Sequence, residues 1–381
     1  MRVLMLGWEF PPKHIGGLGI ASYELSKALS KKGVEIFFVL PGDPGKDYNF
    51  LKIISTYVEA VNSPLTPYAG TSMSLNFFNL PREVDNFALG VEKIAKRLID
   101  EGIDLIHAHD WMTFKAGLLA REVLHVPLIL HVHSTEIDRS GGNPNPYVYN
   151  IEKEGMEKAD LVIAVSNFTK KRIVEYYGIP EEKIKVLYNA IEVPKKVKRK
   201  KFRSKVVLYL GRFTLQKGPD YFLKAAKKII QKDPDVTFLM VGEGEMLGEM
   251  IEKACRLGIT DKVFFTGRVP DVNEFYSIAD VYVMPSVSEP FGLTALEALS
   301  NKVPVIISKQ SGVSEVLSHC LKVDFWDVDD IANKILSVLK YSPLKKMLEE
   351  NGFTEVKNFS WDKQADKCIE YYKEVIKKIK A

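Results

Sequence analysis

The sequence predicts an α/β protein of two doubly wound parallel-sheet domains, and three observations carry that expectation. Short apolar runs alternate with longer amphipathic stretches along the whole chain, the pattern of parallel strands covered by helices. The 381 residues, 46% hydrophobic and 27% charged, suffice for two domain-sized cores. A basic run at residues 195–205, with eight Lys or Arg and no acid, separates two halves of similar pattern. Domains are therefore expected at 1–194 and 206–358, joined by the linker 195–205. A C-terminal amphipathic helix within 359–381 is expected to pack back toward the N-terminal domain.

In the first half, strands are expected near Val3–Gly7, Val34–Leu40, Leu105–Ala108, Leu128–Val132, Leu161–Val165 and Ile184–Leu187. In the second they fall near Val206–Leu210, Thr237–Val241, Val263–Thr266, Val281–Met284 and Val303–Ile307. The helices between them include residues 18–32, 86–101, 168–177, 220–232, 246–257 and 292–300. The last helix, about 361–379, sets Ala365, Cys368, Ile369, Tyr372, Val375, Ile376 and Ile379 at close to helical spacing. Residues 139–147, rich in Gly, Asn and Pro, read as a surface loop. No repeat of 20 to 50 residues is present, which excludes a solenoid.

Composition narrows the function classes. Cys255, Cys320 and Cys368 lie far apart without Cys-x-x-Cys spacing, so neither a disulfide framework nor a structural zinc site is indicated. The apolar start Met1–Gly7 meets Trp8 and Glu9 too soon for a signal peptide, and no apolar run approaches the roughly 20 residues that span a bilayer. A cytoplasmic location is expected. The net charge of +4 comes from the linker, since the rest of the chain holds 45 basic against 49 acidic residues. The run reads as solvated chain; no nucleic-acid partner is expected, and peripheral membrane contact is open to it but not indicated.

The most informative segment follows the strand Val281–Met284. Pro285-Ser286-Val287-Ser288-Glu289-Pro290-Phe291-Gly292 leads into a helix carrying Leu293 and Glu297. A helix N-terminus then stands at the carboxyl end of a strand, where open α/β sheets bind ligands and where free N–H groups favour phosphate. Pro290 keeps Glu289 in the loop, and Glu297 sits about one turn into the helix. One carboxylate can face a ligand's sugar and the other its ribose.

Glu-x7-Glu with Pro-Phe-Gly after the first Glu resembles the donor-site motif of glycosyltransferase family 4, which includes glycogen, sucrose and sucrose-phosphate synthases. The resemblance implies the GT-B fold, two Rossmann-like domains facing a cleft. It implies retaining transfer of a sugar from a nucleoside diphosphate, with Glu289 at the donor sugar and Glu297 on the ribose. Gly211-Arg212-x4-Lys217-Gly218, after the first strand of the second half, matches the family's diphosphate clamp. Arg and Lys there suit the charge of a leaving pyrophosphate. Gly242-Glu243-Gly244, Gly267-Arg268-Val269 and Ser311–Glu315 are weaker supports, each equally readable as turn chemistry. In the family the loop matching Thr266–Val269 runs beside the base.

Five of the seven histidines, His14, His107, His109, His131 and His133, lie in the first half near strand ends. Two His-x-His pairs on strands could hold a metal. The expectation is no metal and no cofactor, because the resemblance explains the neighbouring acids. It places His133 near the donor sugar's 6-hydroxyl and the reaction centre, with His131 second. His107-Ala108-His109-Asp110-Trp111 resembles a segment of glycogen and starch synthases, so His109, Asp110, Trp111 and Glu136 are carried as acceptor-side candidates.

Gly16 and Gly17 open the first helix and suit close approach of a phosphate. The string departs from the Lys-x-Gly-Gly-Leu of bacterial and plant glycogen synthases, with His14 in the lysine's place. As a dinucleotide fingerprint it lacks the third glycine and the acid after the second strand. The donor-binding set is thus Gly16, Gly17, Arg212, Lys217, Gly267, Glu289, Phe291, Gly292, Leu293 and Glu297, with His133, Glu289, Arg212 and Lys217 as the catalytic group. The implied activity is metal-independent hexosyl transfer, glucosyl first, to a carbohydrate or other hydroxyl acceptor, an α-glucan among them. Asp233-Pro234-Asp235 and Asp327-Val328-Asp329 mimic the Asp-x-Asp of metal-dependent transferases, but read as a helix-end turn and a helix start. The alternatives are a sugar-nucleotide epimerase of the same architecture, or a transferase for a small or lipid-linked acceptor.

Overall fold

A computed structural model describes the chain apart from residues 13–15, 44, 57–75, 195, 198, 201, 270 and 381, and all described side chains but those of 76–79 and 380. Two compact units form. The first comprises Met1–Ile137, Gly142–Ala190 and Ser360–Ala381; the second comprises Asp138–Gly141 and Ile191–Phe359.

The first unit is built on strands β1 (Arg2–Leu6), β2 (Glu35–Leu40), β3 (Lys52–Ser55), β4 (Leu105–His109), β5 (Leu128–Val132), β6 (Leu161–Ala164) and β7 (Ile184–Val186). They lie in the order β3-β2-β1-β4-β5-β6-β7, every neighbouring pair parallel. The second unit holds β8 (Lys205–Leu210), β9 (Val236–Val241), β10 (Val263–Gly267), β11 (Val281–Met284), β12 (Val305–Ser308) and β13 (Leu321–Val323). Their order is β10-β9-β8-β11-β12-β13, again all parallel. In each sheet the strand order reverses beside the first strand, between β1 and β4 and between β8 and β11.

Central strands such as β5 and β9 are buried at every residue, as a sheet covered on both faces requires. In the first unit the helices Asn76–Arg97 and Trp111–Leu124 pack together, as do Gly17–Lys31 and Trp361–Lys380. In the second, Pro219–Ile230 packs on Val328–Lys340, and Leu293–Ser300 on Ser342–Val356. The final helix buries Ala365, Cys368, Tyr372 and Val375 within the first unit, while Ile379 is exposed. Tyr371 donates to the Val186 carbonyl at 3.0 Å, pinning this helix to β7.

Two expectations need correction. The helix expected at 86–101 begins at Asn76 and ends at Arg97, with Pro81 inside it; a proline reads as a boundary in sequence and concealed nearly three turns at the start. Residues 139–147 are not all loop. Asn145 caps a helix by accepting from the Tyr147 N–H at 2.9 Å, and Pro146 and Tyr147 are its first residues. Among the described residues, no helix is long and apolar enough to cross a membrane.

Candidate active site

Strands β8 and β11 are neighbours in the second sheet although two strands separate them along the chain. Ligands of open α/β sheets bind outside the carboxyl ends of strands at such a reversal. The two segments singled out in sequence, Gly211–Gly218 after β8 and Pro285–Gly292 after β11, both emerge there.

Backbone bonds lace the two loops together. The Gln216 carbonyl accepts from Val287 N–H at 2.9 Å and from Ser288 N–H at 3.3 Å. Gly218 has φ +61, and a Cβ there would lie 2.2 Å from the Pro285 carbonyl oxygen. Only glycine permits that approach. The second loop is held from its other side as well. Glu289 N–H donates to the Gln310 carbonyl at 2.9 Å, Gly312 N–H donates to the Glu289 carbonyl at 2.9 Å, and Val313 N–H donates to the Phe291 carbonyl at 2.7 Å. Ser311–Glu315, a weak sequence signal, is thus the backbone support of Glu289 and Phe291.

This framework brings two predicted residues into contact. Lys217 Nζ lies 2.6 Å from Glu289 Oε2, and Ser286 Oγ donates to the same oxygen at 3.1 Å. Glu289 is only 7% exposed, and the lysine is its counter-charge. Arg212 is partly exposed on the same loop as Lys217, and its carbonyl accepts from Tyr209 Oη at 2.8 Å.

Gly292, at φ +111, caps the helix Leu293–Ser300, with buried Phe291 just before it and partly buried Leu293 just after. Glu297 lies in the second turn, with Oε2 at 3.0 Å from Tyr276 Oη. Burial raises the Glu297 carboxyl above its ordinary value of 4.5, and the Tyr276 hydrogen bond partly opposes this. The folded chain therefore holds this proton more tightly than the unfolded one. Stability is full below pH 4.5 and is lost as pH rises through that value to the folded pKa. Glu297→Gln should accordingly raise the melting temperature relative to the parent at pH 7 and not at pH 4, and the ribose role implied by the resemblance adds an expected loss of donor binding of about 10-fold. Thermal unfolding at the two pH values and the donor KM check both halves.

The remaining rim is also laced. Gly242, at φ +136, comes so close to Gly211 that a Cβ would stand 2.0 Å from its carbonyl oxygen, and Gly242 N–H donates to the Gly267 carbonyl at 3.0 Å. Phe213 N–H donates to the Glu243 carbonyl at 2.9 Å. The loops after β8, β9 and β10 therefore share one backbone network, with Gly267 at φ +68 on its edge. Residues 191–355 match the family described as Glycosyl transferases group 1, and residues 15–195 match Glycosyltransferase Family 4. A glycosyltransferase of Methanocaldococcus jannaschii is 30% identical over 98% of each chain. The chain belongs to glycosyltransferase family 4.

The glycosyltransferase is also 27% identical to a glycogen synthase of Mycobacterium tuberculosis, over 83% of this chain and 80% of that one. Its fold is GT-B, and it superimposes on sucrose-phosphate synthase from Thermosynechococcus elongatus with a TM-score of 0.81 at 22% identity over 98% of both chains.

In the first unit of the transferase, the reversal lies between β1 and β4. Gly16 N–H there donates to Glu9 Oε2 at 3.0 Å, and a Cβ on Gly16 would meet that oxygen at 2.8 Å. A phosphate at Gly16 and Gly17 would have to displace this buried carboxylate. Lys13 and His14 lie outside the described residues. His109 ends β4 and Asp110 caps the next helix, both buried, and Trp111 is part of the core at 2% exposure. Glu136 accepts from Asn145 N–H at 3.1 Å, bracing the turn before the next helix. His133, partly exposed, follows β5, with Nε2 at 3.0 Å from His109 Nδ1. Burial lowers its pKa to about 3, so the ring is neutral near pH 7.

Sequence reasoning missed Gln216, Ser286, Tyr276 and Glu9 in the transferase. Residue type announces none of them: Tyr276 reaches Glu297 21 residues on, Gln216 acts through its backbone carbonyl, and Ser286 and Glu9 hold Glu289 and Gly16 three and seven residues on. The two Asp-x-Asp strings are structural: Asp233 pairs with Lys205 at 3.0 Å, and the Asp327 carboxylate accepts from Asp330 N–H at 2.9 Å as a helix cap.

Proposed function

We propose that this transferase moves a hexosyl unit, glucosyl in the first instance, from a nucleoside-diphosphate sugar to an acceptor hydroxyl with retention of the α configuration. The contact between Lys217 and Glu289 at the sheet reversal carries the reading. It joins a cation suited to a diphosphate with a carboxylate suited to a sugar hydroxyl. The bond from the anomeric carbon to the diphosphate oxygen breaks as the acceptor oxygen approaches on the same face. Arg212, Lys217 and the N–H groups after Gly292 take up the charge on the leaving diphosphate, supplying what a divalent ion supplies in other transferases. A diphosphate oxygen accepts the proton from the acceptor hydroxyl. Glu289 serves as an acceptor for the sugar's hydroxyls rather than as a nucleophile, since one of its oxygens already receives two donors. Glu297, held by Tyr276, takes the ribose hydroxyls. His133 enters as the group near the sugar's 6-hydroxyl, on the strength of the resemblance. The glycogen synthase among the relatives supports an α-glucan acceptor.

The test is incubation with UDP-glucose, ADP-glucose and GDP-mannose, measuring nucleoside diphosphate release with and without glucan or small sugar acceptors. Release that requires an acceptor, with an α-linked product by NMR, is the expected result. Conversion of the donor without any acceptor would establish an epimerase instead. Absence of release under every combination would end the proposal.

A further inference from the structure

Four imidazoles stand together at the carboxyl ends of β4 and β5, and the proposed transfer uses only one of them. His107 and His109 point to one side of β4, and His131 and His133 to one side of β5. The strands are neighbours, with His109 in register with His131. The rings of His107, His109 and His131 have centroids 4.3, 5.2 and 5.3 Å apart. One nitrogen from each of the three lies within 4.8 Å of the others. Exposure is 0% for His107 and His109 and 2% for His131.

The hydrogen bonding of these rings is half complete in a telling way. His107 Nδ1 lies 2.6 Å from Tyr372 Oη of the final helix, and His109 Nδ1 lies 3.0 Å from His133 Nε2. The opposite nitrogens, His107 Nε2 and His109 Nε2, and both nitrogens of His131 are buried without a partner among the described residues. Buried polar atoms are rarely left so. Metal-bound histidines engage one ring nitrogen in an outer hydrogen bond, which fixes the tautomer, and turn the other toward the ion. His107 and His109 show that division.

We propose that His107, His109 and His131 form a site for one divalent transition ion of the zinc class, bound through His107 Nε2, His109 Nε2 and one nitrogen of His131. Three imidazoles select Zn²⁺ or Co²⁺ over Mg²⁺ or Ca²⁺, which take oxygen ligands. Tyr372 and His133 are the outer partners. The ion ties β4, β5 and the final helix together inside the first unit, and so acts on the stability of that unit. The diphosphate chemistry assigned to the second unit does not involve it.

The test uses the full chain without a histidine tag, stripped with dipicolinate and titrated with Zn²⁺ or Co²⁺. The expected result is one equivalent bound per chain and visible Co²⁺ bands that Zn²⁺ abolishes. A rise in melting temperature of about 5 °C or more should accompany saturating Zn²⁺, and Mg²⁺ and Ca²⁺ should have no effect. His131→Asn should lose this response, and Tyr372→Phe should weaken Zn²⁺ affinity by about 10-fold or more. No binding by the parent chain, or undiminished binding by His131→Asn, overturns the site. Should His131→Asn fail to fold, Tyr372→Phe and the zinc-edge X-ray absorption of the parent decide. Unchanged affinity, or a coordination shell without three imidazoles, overturns it equally. These readouts are independent of transferase activity.

Discussion

Lys217→Ala is expected to cut turnover by about 10²-fold or more, and Arg212→Ala by a similar factor, because in the proposed transfer each cation faces the departing diphosphate. Lys217→Ala should also lose stability. Lys217 is the ion-pair partner of Glu289, with side-chain exposures of 21% and 9%. Its removal leaves the glutamate buried without counter-charge, at a cost of about 1–3 kcal/mol. Arg212 is partly buried on the same loop, and its carbonyl accepts from Tyr209 Oη at 2.8 Å. Acceptor-dependent nucleotide release measures the first effect and thermal unfolding the second. Near-normal turnover in both variants would remove the diphosphate assignment.

Gly218→Ala should be as damaging to activity without touching a charged group. Its Cβ would stand 2.2 Å from the Pro285 carbonyl, at a backbone angle of φ +61 that already disfavours a side chain. The loops after β8 and β11 must separate to admit it, and Lys217 moves with one while Glu289 moves with the other. A misplacement near 1 Å is worth about 10²-fold in rate. Gly258 is the control: its φ is +64, but a Cβ there meets nothing within 4 Å. Gly258→Ala should therefore cost about 1–2 kcal/mol with rate preserved. If Gly218→Ala retains full activity, close contact between the two loops is not what positions the site.

These contrasts show which parts of the molecule were legible in the sequence. Glu289, Phe291, Gly292 and Glu297 occupy one stretch, and Arg212 and Lys217 another, so fixed local spacing announces both. What spacing cannot announce is that β8 and β11 lie side by side. The Lys217–Glu289 pair, 72 residues apart, and the Gly218–Pro285 contact both depend on that adjacency. Tyr276 reaches Glu297 only because the chain returns through β11 between them. The histidines follow the same logic. Each His-x-His pair is visible as a pattern, but their convergence requires β4 beside β5 with His109 opposite His131. Trp111 shows the converse, since a residue quoted within a motif belongs to the core. Fold class was legible because alternation of apolar runs and amphipathic stretches is a property of the whole chain; the start of the helix at Asn76 was not, because Pro81 masked it.

The first unit is interrupted: its chain departs after Ala190 and resumes only at Ser360. On the ribosome, where folding ordinarily follows the order of synthesis, this reverses the usual sequence of completion. The second unit has its whole continuous stretch available while the earlier one still lacks its closing helix. Until that helix arrives, His107 has no Tyr372 to meet and the face of Gly17–Lys31 that it covers stays open to water. The portion made first is therefore the portion finished last, and a chain truncated before residue 360 holds the whole stretch Ile191–Phe359 while the first unit lacks its closing helix.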